Sequence, residues 1–445
     1  MADHKHPRPP WGSLQLRAGD ILAWGELTPE DFRPAGSPEA TAPLRPGPEG
    51  SYRRDAWRRF RGNRAALGAL AVLLLLVLFA LAGPLVVPYG YAQFHAGAEN
   101  LPPYHYALAD QERLEAELSR RAQAAPDPEE AVERALAEAQ ARGETLTAVD
   151  LARIRAEARA AQSQGAVSEA QVRRELGIRP RLGGYSREDL ERKAAGEAVF
   201  PHLFGTDRYG RDILVRVMVG TRVSMLVGLS AAALVLVIGA LYGAVSGYCG
   251  GRVDAVMQRI VEVIYSIPEV LVILLLSTVL GDALLAYANT HTGLLARAVP
   301  LLGKNLISMF LSFGLLYWVT MSRIIRGQVL QLKGQEYVTA ARALGASGAR
   351  IIRRHLLPNC IGQIVVTTCL QIPSAIFLES FLSFLGVGVT TPLTSLGSLA
   401  SEALEGLWSY PYRLIFPAVI LSAMILSFNL VGDGLRDALD PRLKR

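Results

Sequence analysis

Six long apolar blocks set the limits on what this chain can fold into: Ala65–Pro88, Val223–Gly250, Ile260–Leu280, Leu306–Ser322, Ile361–Val389 and Leu414–Val431. An apolar helix of about 20 residues spans the hydrocarbon core of a bilayer. A helix also satisfies its own backbone polar groups there, which an open sheet does not. Each block therefore predicts a crossing, and the expected fold class is all-α: a polytopic membrane protein with six transmembrane helices. The fourth block is the shortest, and the third and fifth carry Glu262, Glu269 and Glu379. The first block is too long for a signal's apolar stretch, follows a long polar segment, and has no small-residue cleavage site after it. It is expected to stay as an anchor.

Lysine and arginine near the ends of the blocks predict orientation. Arg53, Arg54, Arg58, Arg59, Arg61 and Arg64 precede the first block; Arg252 and Arg259 lie between the second and third. Arg323, Arg326, Lys333, Arg342, Arg350, Arg353 and Arg354 lie between the fourth and fifth, and Arg436, Arg442, Lys444 and Arg445 follow the sixth. The alternate loops hold only Arg297 with Lys304, and Arg413. Both termini are therefore expected in the cytoplasm, with the long segment after the first block carrying no vote. The net charge of +6 needs no nucleic acid, because the basic residues cluster where anionic membrane lipid attracts them. Cys249, Cys360 and Cys369 show neither paired nor metal-ligand spacing and read as packing residues.

Four regions follow. Residues 1–64 form a cytoplasmic tail, rich in Pro and Gly up to residue 50; its His4 and His6 are too few to predict a metal site. The tail ends in an interfacial helix, SYRRDAWRRFRGNR, with Trp57 and Phe60 set among arginines. Residues 65–88 are transmembrane helix 1. Residues 89–222 are extracytoplasmic and contain an insert, 107–198, of Ala, Glu, Arg and Leu with a thin apolar stripe. Pro126, Pro128, Gly143, Gly165 and Gly177 punctuate it into three or four short helices. The plainer reading is a solvated decoration, the sharper one a docking surface for an extracytoplasmic partner. Residues 223–445 are a five-helix core.

Turn motifs flank the second block. HLFGTDRYGRD combines turn glycines such as Gly210 with helix-capping side chains, and Asp207, Arg211 and Asp212 are expected to form a salt-bridged corner. GYCGGRVD supplies Gly250, Gly251 and Asp254 at the other end. Within the block Gly239, Gly243 and Gly247 recur every fourth residue, a stripe that lets another helix backbone approach closely. The loop 334–358 is the one candidate for a working site. Glu336 to Leu344 favours a helix, Ala340, Ala341 and Ala343 leave it without bulk, and Gly345 ends it. A second helix is expected from Ser347, with Arg350, Arg353 and Arg354 on one face and Pro358 marking re-entry.

This loop resembles the signature loop of binding-protein-dependent ABC importer permeases, through Glu336, Ala340, Ala341, Gly345, Ala346, His355, Leu357, Pro358 and Asn359. FGTDRYGRDILVRVMVGTRVS, GYCGGRVDAVMQRIVE (with Gly250, Gly251, Asp254, Arg259 and Glu262), SFLGVGV and FNLVGDGLRDALDPRLK are similar to the C-type permease subunit of the oligopeptide, dipeptide and nickel branch. Val215, Gln258, Glu262 and Leu396 depart from the usual residues. The likeness covers roughly 51–90 and 202–445 and leaves the insert outside.

The resemblance implies a non-catalytic transport subunit, with a cytoplasmic coupling helix between helices 4 and 5. It implies a second homologous permease subunit, two ATP-binding subunits that hold ATP and Mg, and an extracytoplasmic solute-binding protein. Glu336, Ala340, Ala341, Gly345, Ala346, His355 and Pro358 would contact the ATPase. No cofactor is expected in this chain, which has no G-x-x-x-x-G-K-[ST] phosphate loop, and no metal. Di- or oligopeptide is the expected cargo; nickel chelates, glutathione and oligosaccharides occur in the same branch. Acids inside spans are functional candidates. Glu269, behind the helix-kinking Pro268, and Glu379 are therefore candidates for the pathway, Glu379 equally for a helix–helix hydrogen bond. Glu262 is expected to pair with Arg259, and Asn429 and Asp433 to cap the inner end of the last span. Two other classes compete: a secondary transporter, for which internal repeats and midplane ion ligands are lacking, and a membrane-anchored scaffold working through its insert.

Overall fold

The computed structural model describes residues 52–124, 128–142, 147–165, 169–389 and 393–439. The chain divides into residues 1–55 and 56–445. The 1–50 tail with His4 and His6, the break points Pro126 and Gly143, and the closing Arg442, Lys444 and Arg445 lie outside the described residues.

Helix α1, Tyr52–Gly62, is the expected arginine-rich helix. Trp57 stacks on Phe60 at 5.7 Å, and Phe60 is buried against Ala66 and Ala438 while Trp57 stays exposed. Six helices are long and apolar enough to cross a membrane: α2 Arg64–Val86, α8 Ile213–Cys249, α10 Glu269–Thr290, α12 Lys304–Leu332, α14 Gly348–Phe384 and α16 Tyr412–Leu439. Between them lie the shorter α9 Gly251–Tyr265, α11 Leu294–Leu302, α13 Glu336–Ala343 and α15 Leu396–Ala403. The protein is a multi-pass, all-α membrane protein.

Several expected boundaries move, each for a local reason. The second span starts at Ile213 rather than Val223, because Asp212 accepts a hydrogen bond from the Val215 amide at 2.9 Å and caps the helix there. The third block is not one helix: α9 stops at Tyr265 and α10 restarts after Pro268, whose ring cannot continue a helix. Arg259 and Glu262 therefore lie on α9, outside the α10 crossing, and they pair at 2.6 Å as expected. The fifth span begins at Gly348 rather than Ile361 and ends at Phe384 rather than Val389. The sixth runs on to Leu439, so Asn429 and Asp433 sit inside the helix and cap nothing.

Among the described residues the insert has five helices rather than three or four: α3 Leu108–Ala124, α4 Pro128–Arg142, α5 Ala148–Gly165, α6 Glu169–Glu175 and α7 Arg187–Ala194. α4 and α5 pack on each other as a hairpin. Two short strands, β1 Tyr104–His105 and β2 Arg181–Leu182, pair antiparallel and close the insert's base. Two residues per strand leave no period to read in a sequence.

Helix α8 is the hub, packing against α12, α14 and α2. Its glycine stripe does what the spacing predicts. A Cβ at Gly239 would lie 2.6 Å from Met321 Cβ, one at Gly243 would strike the Ser322 carbonyl, and one at Gly247 would lie 2.9 Å from the Arg326 carbonyl. With lipid as apolar as the side chains, such close backbone approach is a main source of helix association. Gly243→Leu is therefore expected to separate α8 from α12 and to cut the amount of folded protein recovered from membranes at least about fivefold. Fluorescence-detected size exclusion of a tagged variant measures this; a wild-type monodisperse peak would contradict it.

Candidate functional site

The elbow between α12 and α14 is built by a helix stop. The Ala346 amide donates to the Ala341 carbonyl at 3.0 Å, and the Gly345 amide to the Arg342 carbonyl at 3.0 Å. This pair of bonds is the Schellman pattern, which places the residue after the cap in the left-handed region. Gly345 occupies it with φ +81°. Ser347 holds the next N-cap position, as expected, but its side chain makes no capping bond. The elbow is tied to the bundle by few side chains. Val338, Ile351 and Leu356 are fully buried with Ile325 and Val329 of α12 and Ala244 of α8, and Gly348 abuts the Tyr248 ring at the end of α8.

Most of the rest of α13 faces outward, while Ala341, with Ala346 just beyond the helix, packs partly against this buried cluster. Glu336, Ala340 and Gly345 are exposed, Ala341 and Ala346 half-buried. Leu344, at the tip, is 88 % exposed, and Tyr337, at the other end of α13, is exposed too and accepts from Asn359 at 3.3 Å. Arg350, Arg353 and Arg354 line one concave surface with His355 and Pro358, and Asn359 donates to the His355 carbonyl at 2.6 Å. The expected coupling residues thus share one protruding unit whose buried anchors reach α8 and α12.

The two acids proposed for the pathway separate. Glu379 is fully buried and accepts hydrogen bonds from Ser224 of α8 at 2.8 Å, Ser383 at 2.7 Å and Ser380 at 3.2 Å. The Ser224 hydroxyl also accepts from the Leu396 amide at 3.3 Å. Glu379 therefore ties α14, α8 and the start of α15 together, the contact its helix–helix reading expects, and it is not among the residues lining the cleft described next. Glu269 is exposed in a cleft of about 1000 Å³ between α10, α12, α14 and α16. Asn429, expected as a cap, lines the same cleft.

The family described as "Binding-protein-dependent transport system inner membrane component" matches residues 236–445. "N-terminal TM domain of oligopeptide transport permease C" matches residues 51–103. The chain is 45% identical over 244 residues to the oligopeptide transport system permease protein OppC of Bacillus subtilis, 55% of this chain and 73% of that one. It is 34% identical over 399 residues to the dipeptide transport system permease protein DppC of the same organism, covering 89% and 88%. It is 40% identical over 268 residues to OppC of Escherichia coli, covering 60% and 82%. The chain belongs to this family of transport permeases. The residues between the two matched segments hold the insert.

In this permease the turn before α8 is more than the expected corner. Asp207 accepts from Arg211 Nε at 2.7 Å, as expected, but also from Arg216 at 2.7 Å and from the amides of Tyr209 and Arg211. Arg216 and Arg211 both reach Glu402, the next-to-last residue of α15, at 2.8 and 3.1 Å. Asp212 does not join this network: besides its cap it lies 2.7 Å from His202 Nδ1. His202 is buried and stacked at 4.4 Å on Tyr89, whose phenol burial pushes up to about 12. Gly210 packs tightly on the His95 carbonyl, and burial holds His95 below its ordinary value. Arg216 and Glu402 were not among the residues the motif singled out; an arginine inside ILVRVMV was the available signal.

At the other end of α8, Gly250 and Gly251 both take positive φ, +66° and +54°. This turns the chain so that Asp254 faces α12. Arg326 donates to both Asp254 oxygens at 2.6 and 2.5 Å, and Ser246 donates at 2.5 Å. The Arg326 guanidinium, helped by Ser246, holds the carboxyl down at about 2 against burial. A depressed carboxyl contributes stability above its unfolded value and loses it as pH falls through the folded one. The Asp254→Asn variant is thus expected to melt below wild type by a constant gap between roughly pH 5 and 8, closing only below about pH 4. Thermal unfolding in detergent across that range is the measurement; a gap that changes near neutrality would contradict the pairing.

Proposed function

We propose that this permease is the C-type membrane subunit of an ATP-driven importer of di- or oligopeptides, lining the translocation pathway with a second, homologous permease. The observation that carries the reading is the elbow: a protruding helix with an exposed leucine at its tip and a glycine stop behind it, anchored into the two helices that cross beside it. Its position on the α12–α14 connection, next to the arginine-rich ends of α1 and α9 in the crossing order, supports a cytoplasmic placement with both termini on that side. Glu336, Ala340, Ala341, Gly345 and Ala346 then seat in a groove on an ATPase subunit, with His355 and Pro358 supporting the base. ATP and Mg are held by two such subunits and none by this chain, and an extracytoplasmic solute-binding protein delivers cargo. The insert lies on that delivery side.

ATP-driven closure of the two ATPases moves the elbows together. Because Val338, Ile351 and Leu356 are packed against α8 and α12, the motion is passed to the spans rather than absorbed in a loop. Such a shift requires contacts that differ in energy between the inward- and outward-open states, and an elbow gripped by a closing partner supplies that difference. Peptide is favoured over nickel chelates, glutathione and oligosaccharides by the relatives, named for oligopeptides and dipeptides. The test is reconstitution of the four membrane-bound subunits in proteoliposomes with the solute-binding protein. ATP-dependent accumulation of a labelled tripeptide is the expected result; accumulation of another solute class with no peptide uptake would replace the cargo.

A further inference from the structure

The cleft that holds Glu269 has a chemistry that selects a cation. Tyr317 donates from its phenol to Glu269 Oε1 at 3.3 Å. Tyr317 closes a π-helical turn, Phe313–Tyr317, inside α12, a local widening often found at functional positions. At 1.5 Å per residue Tyr317 lies roughly 20 Å from either end of that helix, while Glu269 is the first residue of α10, so the pair joins the course of one crossing helix to the start of another. From α14 the polar side chains Gln363, Thr367, Gln371 and Ser374 all line the cleft. Their spacing of four, four and three residues puts them on one stripe. A span keeps such a stripe where it faces protein or water, not lipid.

Charge decides what the stripe serves. Among the described residues lining the cleft, Glu269 is the only acid and Arg436, close to the end of α16, the only base. No basic side chain among the described residues makes an ion pair with Glu269, and Arg323 lies over the Tyr265 ring at 4.6 Å. A carboxylate facing a cleft at the start of a span with no resident cation is free to pair with a cationic group that passes. Carboxylate and tyrosine faces together suit an ammonium group, through ion pairing and through attraction to the aromatic ring.

We infer that Glu269 and Tyr317 form a transit subsite for the amino-terminal ammonium group of the cargo, in the cleft between α10, α12, α14 and α16. This rests on the peptide reading given above. The subsite is shallow and open, which suits a site that must release what it binds.

Trialanine uptake by the reconstituted importer, in wild-type, Glu269→Gln and Glu269→Asp forms, tests the inference. Glu269→Gln is expected to lower the maximal uptake rate at least about tenfold, with the yield and melting temperature of the assembled complex at wild-type values, and Glu269→Asp to restore most of it. Saturation-transfer NMR on the solubilised complex, without the solute-binding protein, is expected to detect trialanine on wild type but not on Glu269→Gln, and N-acetyl-trialanine on neither. Equal trialanine uptake by wild type and Glu269→Gln overturns the subsite. So does a loss of uptake that tracks lost assembly, or equal NMR signals for the free and acetylated peptides. A wild-type importer that moves another solute and no trialanine overturns the peptide reading itself, a result distinct from all of these.

Discussion

Gly345→Val is expected to abolish peptide uptake while the protein remains in the membrane at its normal level. A Cβ at this position meets nothing within 4 Å, so the substitution disturbs no packing and its whole effect falls on the backbone. With φ at +81°, an L-residue costs roughly 1–2 kcal/mol there, and a β-branched one more. The chain escapes that cost by unwinding the Schellman stop, which swings Leu344 and the alanine face of α13 out of register with any rigid partner. Uptake should fall at least about a hundredfold, since a misplaced rigid contact loses coupling rather than weakening it. The bundle, held by α8 against α12, should melt as before. Uptake and thermal unfolding measured on the same preparation separate the two; unchanged uptake would remove the elbow from the mechanism.

The second large effect is expected at Asp207. Asp207→Ala leaves Arg216, whose side chain is 3 % exposed, with only Glu402, itself one-third exposed. It also removes the acceptor for two backbone amides in the turn. Breaking one partner out of a buried ionic network costs roughly 3–5 kcal/mol, because the remaining charge stays buried without full compensation. The midpoint of thermal unfolding should drop on the order of 10 °C. Asp207→Ala combined with Arg216→Met should recover part of the loss, since removing both charges removes the stranded one. A double variant less stable than the single would show that the network holds the turn by shape rather than by charge.

How much was legible follows from the range of the signals. The six crossings could be read because an apolar run is a local feature, and lipid enforces it without help from distant residues. The Gly239, Gly243 and Gly247 stripe was legible for the same reason, as was the break at Gly345. Less local features were not. Asp207 and Arg211 sit four apart and were paired correctly, but their network closes on Glu402, far along the chain and in a segment of no marked pattern. Asp254 meets Arg326 only because two left-handed glycines aim α9 at α12, a direction no spacing encodes. Glu379 and Glu269 look alike in sequence, each an acid inside an apolar run. Ser224, Ser380 and Ser383 bury the first, while Pro268 and the π-turn before Trp318 open a cleft for the second. Pro268 was legible as a breaker, but not the completeness of the break, which moved Glu262 off the crossing helix and onto α9 beside Arg259.

The elbow's contact with an ATP-hydrolysing partner is most directly measured by cross-linking. Cys249 is exposed at the end of α8, so it and the other two native cysteines are first replaced by serine or alanine. Ala340→Cys is then introduced on the open face of α13, and inside-out membrane vesicles carrying the assembled complex are treated with a short bifunctional maleimide. A covalent adduct between this chain and an ATPase subunit, its yield changing with ATP and vanadate, is the predicted result. Labelling of that cysteine only from the opposite side of the membrane, or no adduct with the ATPase in a complex that transports, would contradict it.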